Sequence, residues 1–136
     1  MQEGLEAAVL ALYRAARCAQ VLATDDPLDP GSSRILASVV RLGPVRPSTV
    51  AQENHIDALV RRGLVAKSAD PDDARAALVE ATADGHDVLQ VLLANRSAAI
   101  GSALAGWSGR DRRALARLLV RLADDLDDLI TTKERR

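Results

Sequence analysis

Apolar residues return every three to four positions over long stretches of this chain, and over two short stretches they do not. Leu5, Ala8, Val9, Leu12, Ala16 and Ala19 predict one amphipathic helix over residues 3–24. The run "TDDPLDPGSS" holds two prolines and a glycine and reads as a loop. Ser32 or Ser33 is placed to cap a second helix through "RILASVVRL", with Ile35, Val39 and Leu42 on one face and Gly43 and Pro44 as its stop. Farther on, "GLVAKS" and "ARAALVEAT" predict two short strands about the turn-forming "ADPDDA", a β-hairpin with a polar tip over residues 64–82. Thr82 is placed to cap a helix that starts near Ala83, with Val88, Leu92, Ala99 and Ala103 roughly on one side. Ser108 stands three residues before Asp111, a capping-box spacing with Asp in place of Glu, and opens the last helix. There Leu115, Leu118, Leu119, Leu122, Leu126, Leu129 and Ile130 make the strongest periodic signal in the chain.

Between the second helix and the hairpin lies "RPSTVAQENHIDALVRRGLV". It begins like a helix-turn-helix and closes like the end of one. The predicted fold is therefore mainly α with a small β-hairpin wing, a winged helix-turn-helix extended by long helices at both ends.

Composition sharpens this picture. A chain of 136 residues with 48% hydrophobic content is the size of one globular domain and long enough to bury a core. With only Tyr13 and Trp107 as aromatics, that core must be aliphatic, the mix that helix packing favours. The net charge of -1 argues against gripping nucleic acid over the whole surface. Its distribution is uneven: seven Lys/Arg against five acids over residues 31–79, but two against five over residues 1–30.

Cys18 is the one cysteine, so no internal disulfide forms and a reducing cytosol fits. The N-terminus places acids before its apolar part, the reverse of a signal peptide, and no apolar run approaches the ~20 residues that cross a bilayer. The expectation is a cytoplasmic protein without membrane contact. His55 and His86 show no metal-ligand spacing, and nothing brings Ser108 and His86 together as nucleophile and base. Neither a metal, another cofactor nor catalysis is expected.

In this order the sequence resembles the MarR family of bacterial transcriptional regulators. "GPVRPSTVAQ" looks like the family's lead-in to the helix-turn-helix, and "HIDALVRRGLVAKSADPDDARAALVEATADG" like the end of its recognition helix, its wing and the next helix. "WSGRDRRALARLLVRLADDL" is similar to its closing dimerisation helix. The most specific feature is the wing signature Asp73, Arg75, Thr82 and Gly85. The resemblance implies one domain over residues 1–136, with dimerisation helices over 1–30 and 84–136 and a winged-helix region over 32–82. It implies a homodimer joined through Leu5, Val9, Leu12, Leu115, Leu118, Leu119, Leu122 and Leu126. Double-stranded DNA carrying a palindromic operator would be its partner, with a small effector often bound between the two regions. Tyr13 and Arg17 are the candidates for that effector cleft.

Each DNA-binding candidate has a physical reason. Arg75 at a hairpin tip can enter a narrow minor groove, and Asp73 would hold its guanidinium by a charge-assisted bond. Ser48 and Thr49 at a helix start offer hydroxyls and amides to phosphates, beside Arg46. Ala74 departs from the pattern, since many members have a second basic residue there.

A larger departure concerns length. Two short helices and a turn need roughly 20 residues, while Pro47 to Arg62 offers 16. About nine residues of the family spacing are absent near Gln52 and Glu53, where the turn and the front of the reading helix belong. Asn54 and His55 are then the only base-reading candidates left. Three readings fit this length: a segment is missing from the sequence as read, the gene carries a true deletion, or the stretch folds as one helix. The intact flanks favour the first, which an intact mass of 14.5 kDa would rule out.

Two further expectations concern the terminal helices. The last has Arg110, Arg112, Arg113, Arg117 and Arg121 before Asp124, Asp125, Asp127 and Asp128, an order that opposes the helix macrodipole. Either this is a solvated face with Arg121 pairing locally with Asp125, or an antiparallel partner sets each basic half against an acidic one. Cys18 is expected as a buried, inert thiol, and Trp107 as a packing anchor.

Overall fold

The computed structural model describes residues 2–23, 25–47 and 50–136, and within its helices all side chains except those at positions 2, 3, 50, 51 and 134. The elements are α1 (Gln2–Leu22), α2 (Pro30–Leu42), α3 (Val50–Arg61), β1 (Val65–Asp70), β2 (Asp73–Ala81), α4 (Ala83–Ala103) and α5 (Gly109–Glu134). The predicted order holds, with one difference. Where a helix-turn-helix needs two helices, α3 is a single continuous helix of 12 residues. The shortened stretch folds as one helix, one of the three readings of its length. Nothing in "VAQENHIDALVR" breaks a helix, so the shortened stretch runs through without a turn. The chain forms two compact units, residues 1–99 and 100–136.

In the first unit, α2 starts from Asp29, not from Ser32 or Ser33. Asp29 has an extended backbone, its carboxylate accepts from the Ser32 amide at 3.1 Å, and Pro30 fills the first helical position, where a missing N–H costs nothing. α2 buries Ser32, Leu36 and Val39; Ile35 is half-buried and Leu42, expected inward, is exposed. The inward stripe lies one position around the helix from the predicted one. α3 sets Ile56 and Leu59 against it within one core. At the end of α3 the Gly63 amide bonds the Val60 carbonyl at 2.9 Å and the Leu64 amide the Leu59 carbonyl at 3.0 Å. This is a Schellman closure, and Gly63 takes the positive φ of 73° that it requires. Its usual apolar contact is available here between core members Leu64 and Leu59.

β1 and β2 pair antiparallel from Val65↔Ala81 to Ala69↔Ala77, then the register jumps to Asp70↔Asp73. Ala74, Arg75 and Ala76 therefore bulge out of the ladder without partners on β1. Val45 adds an isolated bridge to Val79, with two backbone bonds of 3.0 and 2.8 Å, which periodicity does not announce. Thr82 then caps α4, its hydroxyl accepting from the Gly85 amide at 3.1 Å and donating to the Gly63 carbonyl at 2.6 Å. A Cβ at Gly85 would stand 2.1 Å from the Leu64 carbonyl oxygen, so only glycine fits there. Leu89 and Leu92 of α4 close the core.

α1 contributes almost nothing to that core. Leu5, Val9 and Leu12 are 64, 43 and 44% exposed. Cys18 is exposed too, contrary to the expected buried thiol. In the second unit Ser108 caps α5 as predicted, accepting from the Asp111 amide at 3.1 Å, and Arg112 donates to the Leu104 carbonyl at 2.7 Å. None of the described side chains of α5 is buried. Trp107, expected as a packing anchor, is 46% exposed. Among the described residues no helix is long and apolar enough to cross a membrane.

Candidate nucleic-acid interface

The wing is fastened at its root and open at its tip. Asp70, at the end of β1, is buried and accepts from the Nε of Arg46 at 2.6 Å, a second guanidinium nitrogen closing the pair. Its other oxygen accepts from the Asp72 amide at 2.9 Å, which shapes the two-residue tip of Pro71 and Asp72. The Asp72 amide, and after it Arg46, hold the Asp70 carboxyl below the usual carboxylate range against the opposing effect of burial. Arg46, expected at the DNA, forms the clasp between the segment before α3 and the wing, with its side chain still 52% exposed.

Asp73 also differs from expectation. Its carboxylate accepts from the backbone amide of Arg75 at 3.0 Å, an Asx-type turn, and makes no bond to the guanidinium. The reason is the bulge, which brings the amide two residues on within reach while the side chain points away. Among the described residues Arg75 keeps an exposed guanidinium with no protein partner, at the one place where the hairpin ladder is interrupted.

On α3 the polar side chains are largely committed. Asp57 accepts from the Lys67 ammonium of β1 at 2.7 Å, and that contact lowers its carboxyl pKa. His55, expected at base edges, packs back on the start of α2. Its Nδ1 lies 3.2 Å from the Ser32 hydroxyl and 3.8 Å from the Asp29 carboxylate, and its ring fills the space beside Gly31, where a Cβ would meet it at 2.5 Å. Asn54 is exposed and partnerless among the described residues. Ser48 and Thr49 lie outside the described residues. No group of three or more His, Cys, Asp or Glu able to hold a metal ion occurs among the described residues.

Behind the wing, α1, α2 and α4 enclose an open cavity of about 280 Å³. Ala16 and Gln20 line it from α1, with Arg34, Ala37, Leu92 and Arg96 among the residues opposite. Tyr13 and Arg17 do not line it; Tyr13 is 70% exposed. On α1 the face that lines this cavity is the one carrying Ala16 and Gln20. Arg96 is bound to Asp26, whose other oxygen accepts from Asn95 at 3.0 Å. Burial alone would raise the Asp26 carboxyl, and these two partners outweigh it and lower the pKa. Among the described residues Arg34 has no such acid, and it is exposed at the rim. Sequence reasoning missed Asp70, Asp26, Asn95 and Arg96, because each contact joins positions far apart in the chain.

No protein-family model and no curated protein matches the chain. Solved structures do. One described as a probable transcriptional regulator from Pseudomonas aeruginosa is 29% identical, over 83% of this chain and 94% of that one, with a TM-score of 0.61. BpsR from Bordetella bronchiseptica is 23% identical over 90% of this chain and 99% of its own, with a TM-score of 0.64. A mutant MarR from E. coli is 16% identical over 87% and 94%, and superposes with a TM-score of 0.71.

Proposed function

We propose that this chain, which has the MarR-like winged-helix fold, is a DNA-binding transcriptional regulator that works as a homodimer and responds to a small acidic effector. The observation that carries the reading is Arg75, a free cation lifted out of the strand ladder on a hairpin whose root is tied by Arg46, Asp70 and the Val45 bridge. A cation held out in this way suits the narrow minor groove, where negative potential is concentrated. Dimerisation is supported by the two terminal helices, whose leucine stripes a single chain leaves in water. A second copy would cover them and set two wings at a fixed spacing for a two-fold symmetric site.

The effector is supported by the cavity. Its volume lies near the lower bound of ligand sites, its walls are mostly apolar, and Arg34 offers a carboxylate a guanidinium that has no acidic partner among the described residues. The BpsR structure is described as explaining regulation of DNA binding by 6-hydroxynicotinic acid, an acid of that class. We place the protein in the cytoplasm with its DNA, and assign it no catalysis.

A second reading has one observation in its favour. α3 offers Glu53, Asn54 and the paired Asp57 outward, with no free cation before Arg61. A MarR-like dimer with such a helix could act through protein contacts or mixed dimers instead of base reading. Titration of operator-length and random duplex DNA across salt separates the two. The regulator binds with a steep salt slope and a specificity ratio of at least ~10³. Affinity that is weak and equal for all sequences would support the second.

A further inference from the structure

α5 matches itself when read in reverse. At positions that add to 244, Leu115 faces Leu129, Leu118 faces Leu126, Asp111 faces Lys133, and Leu122 faces its own counterpart. Leu122 lies at the middle of Gly109–Glu134. Beside this stripe, Arg110, Arg117, Arg121, Asp125 and Asp128 follow one flank at spacings of seven, four, four and three, basic first and acidic second. The reversed register brings Arg117 level with Asp128 and Arg121 level with Asp125 to within two residues, roughly 3 Å along the axis. That offset is well inside the reach of an arginine.

The helix alone gives no reason for this order of charge. Acids toward its C-terminal end and arginines toward its start oppose the macrodipole. Within one helix Arg121 and Asp125 approach only to 4.0 Å, too far for a hydrogen bond, and their side chains stay 77 and 69% exposed. The leucines are equally unused, with Leu118, Leu122, Leu126 and Leu129 between 45 and 67% exposed.

We propose that α5 packs antiparallel on α5 of a second copy of this chain, about a two-fold axis at Leu122, and that the flanking charges select this register. This rests on the dimer reading above and deepens it. Antiparallel packing about that axis sets the same flank of each helix side by side, so every basic half meets an acidic half. Parallel packing would set this flank against the opposite one with basic half beside basic half and acidic beside acidic, giving these charges no opposite partner, which disfavours it.

Two reversals test the proposal, R117E/R121E and D125K/D128K, together with the fourfold swap that contains both. Each reversal alone is expected to weaken dimerisation roughly ten- to hundredfold at low salt and less at high salt. The swap restores it to near the parent value, and the two reversed chains mixed together form a heterodimer. In a Cys18→Ser background, Leu122→Cys should cross-link to itself on oxidation. Leu129→Cys should not, but should cross-link to Leu115→Cys in a mixture. Helix content by circular dichroism confirms that all variants fold. Parent-like affinity of both reversals, no rescue by the swap, or self-cross-linking at Leu129 would each overturn the register while leaving the dimer standing. A parent chain that sediments as a monomer at micromolar concentration removes the register and the dimer together.

Discussion

α3 turns His55 back onto Ser32, commits Asp57 to Lys67 and buries Ile56 and Leu59, whereas the hairpin beside it ends in a bulge from which Arg75 reaches solvent. Both elements leave the same core. α3 uses its side chains to hold the unit together, and the wing is held so that one side chain stays free. The difference teaches where recognition can reside once the helical unit is short: a helix of 12 residues that must satisfy a core on one side and a strand on the other has little left to present.

The comparison can be broken from either side. If α3 is structural, the largest effect is on folding. Leu59→Ala removes a fully buried side chain and should cost ~2–5 kcal/mol in denaturant unfolding. A loss well under 1 kcal/mol would show that α3 is not the buttress described. If the wing is the reaching element, Arg75→Ala should weaken operator binding by ~1–3 kcal/mol with an unchanged melting temperature. Equal binding by the variant would remove the wing's role.

The root of the wing sharpens the contrast through pH. A carboxyl held below its unfolded value stabilises the fold above the unfolded range, near ~3.9, and that contribution is lost as the pH falls through the folded value. Asp70 and Asp26 are both lowered, so acid should loosen the wing root and the loop before α2. Asp70→Asn should reduce stability at neutral pH and flatten its decline below about pH 4; an unchanged acid limb by melting temperature would contradict the clasp. The smallest effect belongs to Asn54→Ala, expected within ~0.5 kcal/mol on stability and well below Arg75→Ala on operator affinity. A loss matching that of Arg75→Ala would restore α3 as a reading helix.

What could be read from the sequence followed the range of the interactions. Thr82 and Ser108 cap helices three residues away, and the Asp/Pro-rich tip closes a hairpin between adjacent strands, so local pattern sufficed. The cap of α2 is Asp29 and not its near neighbour Ser32, whose hydroxyl is engaged by His55, 23 positions later. The tie of Arg46 to the wing is hidden for the same reason: its partner Asp70 lies 24 positions on. Tyr13 and Arg17 flank the residues of α1 that line the cavity. Amphipathic periodicity identifies a face but not which neighbouring helix it meets. The bulge that redirects Asp73 to a backbone amide depends on strand register, which composition does not encode.

The absence of a side chain at Gly85 has a mechanical result. Backbone of α4 lies against the Leu64 carbonyl with nothing compressible between them, while Thr82 grips the Gly63 carbonyl one residue earlier. Any larger residue at Gly85 would have to drive the start of α4 away from the base of the hairpin, so this one position sets how closely helix and wing can approach.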